Sequence, residues 1–277
     1  MKFGVGVPNV GEFAHPRLLV EMAQQAEAAG WDGFFLWDHL LYRPERPGAV
    51  EPWSVIAAAA AVTTRIRLGA LVTAVPRRQP PLLAQQIATI DQLSNGRIVF
   101  GAGLGSMAEE YTCFGQDPSP TQRGRQLDEA LSVLQALWSP GPVRHDGAFF
   151  TIDDVDLLPK PVQRPHPPIW VAGRWPNKSP FRRAARYDGV MPTHAAYSHE
   201  SFMRVDELRD IVDYVGHHRA ARGTFDVVME GQSNDAEQLA QLAPSYAAVG
   251  LTWWIEKLGW WRGDRDAARA RVQRGPR

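Results

Sequence analysis

Over residues 65–106 the chain reads as strand, Arg-rich loop, helix, glycine stop and second strand, and the two strands restrict what it can fold into. Residues 66–74 and 97–102 are near-continuous aliphatic runs without polar alternation, as expected of parallel strands covered on both faces. The helix between them is marked at both ends. Pro80 and Pro81 suit a first turn, Leu83, Ile87, Ile90 and Leu93 make one apolar stripe, and Asn95-Gly96 suits a left-handed cap. A βαβ unit follows, and its second strand runs into Gly101, Ala102, Gly103 and Gly105, where close approach to the backbone is expected.

The same alternation extends along the chain. Strands are predicted at residues 3–8, 33–37, 66–74, 97–102, 169–172, 189–191, 226–229 and 251–255, with helices between them, including a polar one over 200–222 and an Arg-rich one at the end. Eight strands alternating with eight helices, with no compositional break, predict an α/β fold, a (β/α)8 TIM barrel with insertions after strand 4, as a single domain over 1–277. An open doubly wound sheet is the alternative. The regular pattern is interrupted twice, at 104–120 and at 139–168. Both excursions are too long for ordinary connections, and they read as lid or insertion segments, the second holding a hairpin-like HDGAFFTI.

Charge is balanced at a formal net +0, so no global field draws the protein to nucleic acid or anionic lipid. The single cysteine, Cys113, excludes an internal disulfide and fits a reducing compartment. No apolar run approaches the roughly 20 residues that span a bilayer, and the expectation is a cytoplasmic protein without membrane contact.

In a barrel the active site lies at the C-terminal strand ends, which nominates Asn9, Asp38, His39, Thr73, Ala74, the glycines, Gly173, Arg174, Thr193, His194, Glu230 and Glu256. His39 reads either as a hydrogen-bond or proton donor whose tautomer or charge Asp38 sets, or as a satisfied histidine of the rim. Gly101, Gly103 and Gly105 form G-x-G-x-G, not a dinucleotide fingerprint, and are read as a shelf for a flat ring. Gly173 and Arg174, followed by Asn177, Lys178 and Ser179, read as a phosphate cradle or an exposed basic turn. Arg77 and Arg78 read as a second cationic pair or as solvated surface. Of the adjacent tryptophans at 253–254 and 260–261, one of each pair is expected to face the barrel and one the helical shell. No motif predicts a metal site: His217 and His218 diverge on a helix, and Asp153, Asp154 and Asp156 lack calcium-loop spacing.

The WDH exit of strand two, the strand LGALVTAV, the unit QPPLLAQQIATIDQLSNGRIVFGAGLG and the passage PKPVQRPHPPIWVAG together resemble the bacterial-luciferase-like superfamily of flavin- or coenzyme F420-dependent oxidoreductases. The resemblance implies a (deaza)flavin ring, of F420 or FMN, above strands three and four. It places the ring against Leu71, Val72 and Thr73, often at a non-prolyl cis peptide, here Leu71-Val72, with Gly101, Gly103, Gly105 and Ser106 beside it. It also implies that the Ala172-Gly173 turn lines cofactor and phosphate, next to the candidate cradle of Arg174 and Ser179, and that His39 lies near the reactive ring carbon. Sugar-phosphate dehydrogenases of the family carry a glutamate where this chain has Ser106, with Glu109 and Glu110 further on, so the acid of that mechanism is unassigned. A small organic substrate is implied, with a separate flavin reductase if FMN activates oxygen, and a homodimer at the family level. Two other readings stay open: a cofactor-free lyase or isomerase acting on a phosphorylated substrate through His39 and Glu230, and a non-catalytic flavin-binding relative.

Overall fold

A computed structural model describes residues 1–43, 45–194, 196, 203–220 and 223–277. In chain order it contains β1 (Lys2–Val7), α1 (Pro16–Ala28), β2 (Gly33–Leu36), α2 (Pro52–Val62), β3 (Arg67–Ala70), β4 (Thr73–Ala74) and α3 (Pro80–Leu93). Next come β5 (Phe100–Gly103), α4 (Glu109–Thr112), α5 (Pro120–Trp138), β6 (Val143–Asp146) and β7 (Thr151–Val155). The chain continues with β8 (Ile169–Trp175), α6 (Lys178–Ala184), β9 (Gly189–His194), α7 (Val205–His218), β10 (Asp226–Gly231), α8 (Ala236–Ala247), β11 (Trp253–Lys257) and α9 (Arg265–Gln273).

Nine strands form one parallel sheet in the order β3-β2-β1-β11-β10-β9-β8-β5-β4. β3 and β4 are two halves of the predicted third strand, interrupted at the Leu71-Val72 peptide, which is cis. The sheet closes on itself through a parallel bridge between Leu68 and Ile98, with Leu68 N–H donating to Arg97 O (3.1 Å) and Val99 N–H to Leu68 O (2.9 Å). Counting β3 and β4 once gives the eight strand positions of the barrel. The predicted α/β barrel is therefore the fold, and the open sheet is not.

Strand parity sorts the core into two layers. Phe34, Met229, Val171, Val190 and Trp254 face the helices, whereas Phe35, Val228, Trp170, Met191 and Trp253 face the barrel axis. The adjacent tryptophans of β11 are thus divided as the sequence suggested. Phe35, Trp170 and Trp253 pack against one another inside the barrel with centroids 5.2–5.9 Å apart, each pair contributing about 0.5–1.5 kcal/mol beyond its burial. This aromatic layer fills the interior, so open volume is left only toward the strand ends.

Both excursions fall between β5 and β8. The first carries the single-turn helix α4, and the second carries the antiparallel β6–β7 hairpin. Helix α3 starts on Pro80 and ends at Asn95 (φ 54°) and Gly96 (φ 78°), as its sequence predicts. The polar helix is shorter than expected, Val205–His218, and residues 200–202 and 221–222 of the predicted span lie outside the described residues.

Candidate active site

Parity also determines which side chains enter the mouth of the barrel. Continuing inward positions past the aromatic layer gives Trp37 after β2, Val72 between β3 and β4, Gly103 on β5, Ala172 on β8, Thr193 on β9, Glu230 on β10 and Lys257 on β11. On one side this layer is small and apolar. A Cβ on Gly103 would overlap Val72 and lie 3.7 Å from the Ala172 Cβ, so the glycine lets Val72 pack directly on β5 beside Ala172. Gly101 admits no side chain either: its Cβ would overlap the Ala70 carbonyl oxygen and sit 2.8 Å from Leu71. The loop beyond the shelf is clamped. Tyr111 donates its hydroxyl to Leu104 O (2.5 Å), and Arg123 donates to Leu104 O (3.2 Å) and Gly105 O (3.1 Å) while stacking on the Tyr111 ring. Burial raises the Tyr111 phenol pKa, which keeps it a donor.

On the other side stands His39. Its backbone N–H donates to Asn9 Oδ1 (3.1 Å), and the Asn9 amide donates to His39 O and Val50 O (2.8 Å each), which fixes the loop after β2. The ring lies edge-on to Trp37 and Tyr42. Its Nδ1 lies 3.2 Å from Glu110 Oε1, and because a carboxylate only accepts, Nδ1 carries the proton and Nε2 is left as the functional nitrogen. The side chain of Glu110 is 0% exposed; its Oε1 also accepts from Leu40 N–H (2.5 Å) and Leu41 N–H (3.1 Å) and pairs with Arg77 (3.1 Å).

Several nominated residues serve other purposes. Asp38 does not orient His39: its carboxylate accepts from Ala74 N–H (2.9 Å) and Arg78 (2.8 Å) and pairs with Arg77 at 3.4 Å, so it locks the exits of β2 and β4 together. Arg77 and Arg78 are accordingly not solvated surface but ion-paired to Asp38, Glu110 and Glu51. Thr73 accepts from the Trp53 indole N–H (3.2 Å), which turns its hydroxyl toward the helical shell. Gly173 faces α6, where a Cβ would lie 2.7 Å from Pro180, while Arg174, Ser179 and Ser106 are exposed. Ser179 borders a shallow cleft with Asp128, Arg182, Arg183 and Arg186, and Lys178 lies over the Trp175 ring at 3.3 Å. His194 pairs with Glu207 (3.2 Å). Glu256 faces outward and binds Ser233, Arg262 and Arg271, anchoring the C-terminal segment. Among the described residues no group of three or more His, Cys, Asp or Glu is arranged to hold a metal ion.

Two functional candidates carry little signal in the sequence: Glu110 lies in an irregular excursion, and Lys257 sits next to Glu256 at the end of its strand. Lys257 Nζ lies 3.9 Å from Glu230 Oε2, with side chains 2% and 12% exposed. Burial pushes the Glu230 carboxyl up against the opposing pull of Lys257 and a hydrogen bond from Trp37, and burial pushes the Lys257 ammonium down against the pull of Glu230. The signs make neutral pH the least favourable range for this pair. The raised Glu230 favours the fold at low pH, and that contribution is lost as pH rises through its folded pKa; the depressed Lys257 favours the fold at high pH, and that contribution is lost as pH falls through its folded pKa. The double variant Glu230→Leu/Lys257→Met is therefore expected to unfold at a higher temperature at pH 7, with a gain of up to about 4 kcal/mol. A lower melting temperature would assign the pair a stabilising role.

A closed parallel barrel whose C-terminal mouth combines a low apolar, glycine-floored shelf with a carboxylate-held histidine has the layout of an α/β-barrel enzyme. The chain belongs to the luciferase-like monooxygenase family, whose model matches residues 1–272. It is 33% identical over 189 residues to an uncharacterized protein of Mycobacterium tuberculosis, covering 62% of this chain and 66% of that one. It is 32% identical over 177 residues to an F420-dependent glucose-6-phosphate dehydrogenase of Amycolatopsis mediterranei, covering 62% and 52%. These matches span between half and two thirds of the relatives' lengths. Among solved structures, an F420-dependent secondary alcohol dehydrogenase in complex with an F420-acetone adduct superposes with a TM-score of 0.78 at 18% identity, covering 99% of both chains. The FMN-bound oxygenating constituent of a Pseudomonas putida diketocamphane monooxygenase also superposes with a TM-score of 0.78, at 15% identity. Both likenesses show the barrel fold. No helix among the described residues is long and apolar enough to cross a membrane.

Proposed function

We propose that this protein is an F420- or FMN-dependent oxidoreductase that seats a (deaza)flavin ring on the shelf made by Leu71, Val72, Gly101, Gly103 and Ala172. When bound, such a ring supplies the two-electron chemistry that no side chain provides. The observation that carries the reading is the pairing, at one end of the barrel, of an apolar shelf packed on Gly101 and Gly103 with a histidine whose Nδ1 is held by a buried carboxylate. The fit rests on Gly101 and Gly103, whose missing side chains let Leu71 and Val72 pack directly on β5, close to Ala172, as one low apolar surface of the kind a flat ring needs.

The chain's own groups then have distinct tasks. Val72 and Ala172 present apolar surface to the ring face, and Trp37 excludes water from the opposite wall. His39 Nε2 exchanges a proton with the reacting substrate, accepting it in the Nδ1–H tautomer and donating it as the imidazolium, which Glu110 stabilises and orients. Gly105 and Ser106 border the ring edge, and Arg174, with the backbone of residues 173–179, meets the cofactor phosphate. If the cofactor is FMN used with oxygen, a separate reductase supplies reduced flavin; a relative named as the oxygenase component of a flavin-dependent trigonelline monooxygenase, 31% identical over 163 residues, supports that arrangement. The reading includes cytoplasmic location, a small-molecule substrate and a homodimer, the last checked by sedimentation.

His39→Ala is expected to retain cofactor affinity within about tenfold and to lower turnover roughly 10²-fold, the scale of a lost acid-base group. Unchanged turnover would remove His39 from the mechanism.

A further inference from the structure

The Glu230–Lys257 pair stands on the inward face of β10 and β11. The charged residue next to it on β11, Glu256, is saturated by Ser233, Arg262 and Arg271 and joins the barrel to its C-terminal segment. Glu230 and Lys257 instead point along the barrel axis, in the layer above Val228 and Ile255, at the end where barrel enzymes bind substrate. A layer whose other members are Trp37, Val72, Gly103, Ala172 and Thr193 carries two opposite charges here, an arrangement that burial disfavours.

The separation of the two groups is informative. At 3.9 Å, Lys257 Nζ and Glu230 Oε2 are beyond direct hydrogen-bond range, yet one oxygen atom can lie within about 2.8 Å of both. An oxygen in that position must accept from the ammonium and donate to the carboxylate, and a hydroxyl does both. The flanking wall is apolar: Trp37, whose indole N–H bonds Glu230, stacks on Trp261 with centroids 5.7 Å apart and planes 9° from parallel. Lys257 also lies 5.4 Å from the Trp261 ring centroid. The neighbouring cations Arg77 and Arg78 are paired with Asp38, Glu110 and Glu51.

We propose that Glu230 and Lys257 form the subsite that binds the hydroxyl group of a neutral alcohol with an apolar body, the body lying against Trp37 and Trp261. The inference rests on the oxidoreductase reading, in that it names the substrate class for the same mouth, and it sets this chain apart from enzymes that take phosphorylated sugars.

The test follows the Trp37 indole N–H resonance by ¹H–¹⁵N NMR, assigned with Trp37→Phe, in protein alone and in protein with F420 or FMN. 1-Phenylethanol is expected to shift the resonance saturably, whereas phenylacetate and glucose 6-phosphate are expected to bind at least tenfold more weakly. Glu230→Gln and Lys257→Met should each weaken 1-phenylethanol binding at least tenfold, circular dichroism showing which variants keep the fold. Equal or tighter binding of either anion, unchanged binding in either folded variant, or no shift with or without cofactor would overturn the proposal. The cofactor reading fails separately: if neither F420 nor FMN binds while 1-phenylethanol still shifts Trp37 in the wild type and not in the variants, the subsite stands and the cofactor assignment falls.

Discussion

Glu110→Ala is expected to lower turnover by about 10²-fold or more and to destabilise the protein by about 3–5 kcal/mol. The stability loss follows from burial. The substitution removes the acceptor of the Leu40 and Leu41 N–H groups and one of the two carboxylates that neutralise Arg77, whose side chain is almost wholly buried. The loss of turnover follows from geometry, because His39 Nδ1 loses the partner that selects its tautomer and holds its ring. Glu110→Gln separates the two effects. A neutral amide oxygen can still accept hydrogen bonds but cannot stabilise an imidazolium, so this variant should keep more of the stability and still lose most of the turnover. It should also shift the pH dependence of kcat, a change that a purely structural role would not produce. Chemical denaturation and steady-state kinetics on both variants check this; a Glu110→Gln enzyme with wild-type turnover and pH profile would reduce Glu110 to a loop clamp.

The second large effect is steric. Gly101→Ala places a methyl group against the Ala70 carbonyl oxygen and 2.8 Å from Leu71, and a backbone carbonyl cannot rotate aside as a side-chain end can. β5 must then separate from the strand half carrying Leu71, at about 3 kcal/mol, the upper part of the usual overpacking range. That displacement falls where the ring is proposed to sit, so cofactor affinity should drop by at least about tenfold even in protein that remains folded. Thermal melts and cofactor titration measure the two effects separately. A Gly101→Ala protein that binds cofactor as the wild type does would mean that the shelf is not the ring site.

The fold was legible in the sequence because strand and helix alternate with little interruption, and parallel strands covered on both faces read as unbroken aliphatic runs. The site was legible only as far as the strand ends. Asp38 and His39 are adjacent in sequence and were read as a pair, yet after β2 one carboxylate turns to Ala74 and Arg78 while the histidine finds its partner 71 residues away. That partner, Glu110, lies on a single-turn helix inside an irregular excursion, where hydrophobic periodicity carries no signal. Glu256 and Lys257 show the other limit. A shift of one residue reverses inside and outside in a strand, and the run TWWIEK does not reveal which of its two charged residues faces the axis. Once Trp253 is known to face the axis, Lys257 follows, since residues 253, 255 and 257 share a face.

The central claim is that the barrel mouth holds a (deaza)flavin ring, and the direct measurement is the absorbance spectrum of the purified protein titrated separately with F420 and with FMN. A saturable spectral change with one of them at one equivalent per chain, weakened at least about tenfold by Gly101→Ala and by less than that by His39→Ala, is the predicted result; saturation by neither cofactor would contradict it.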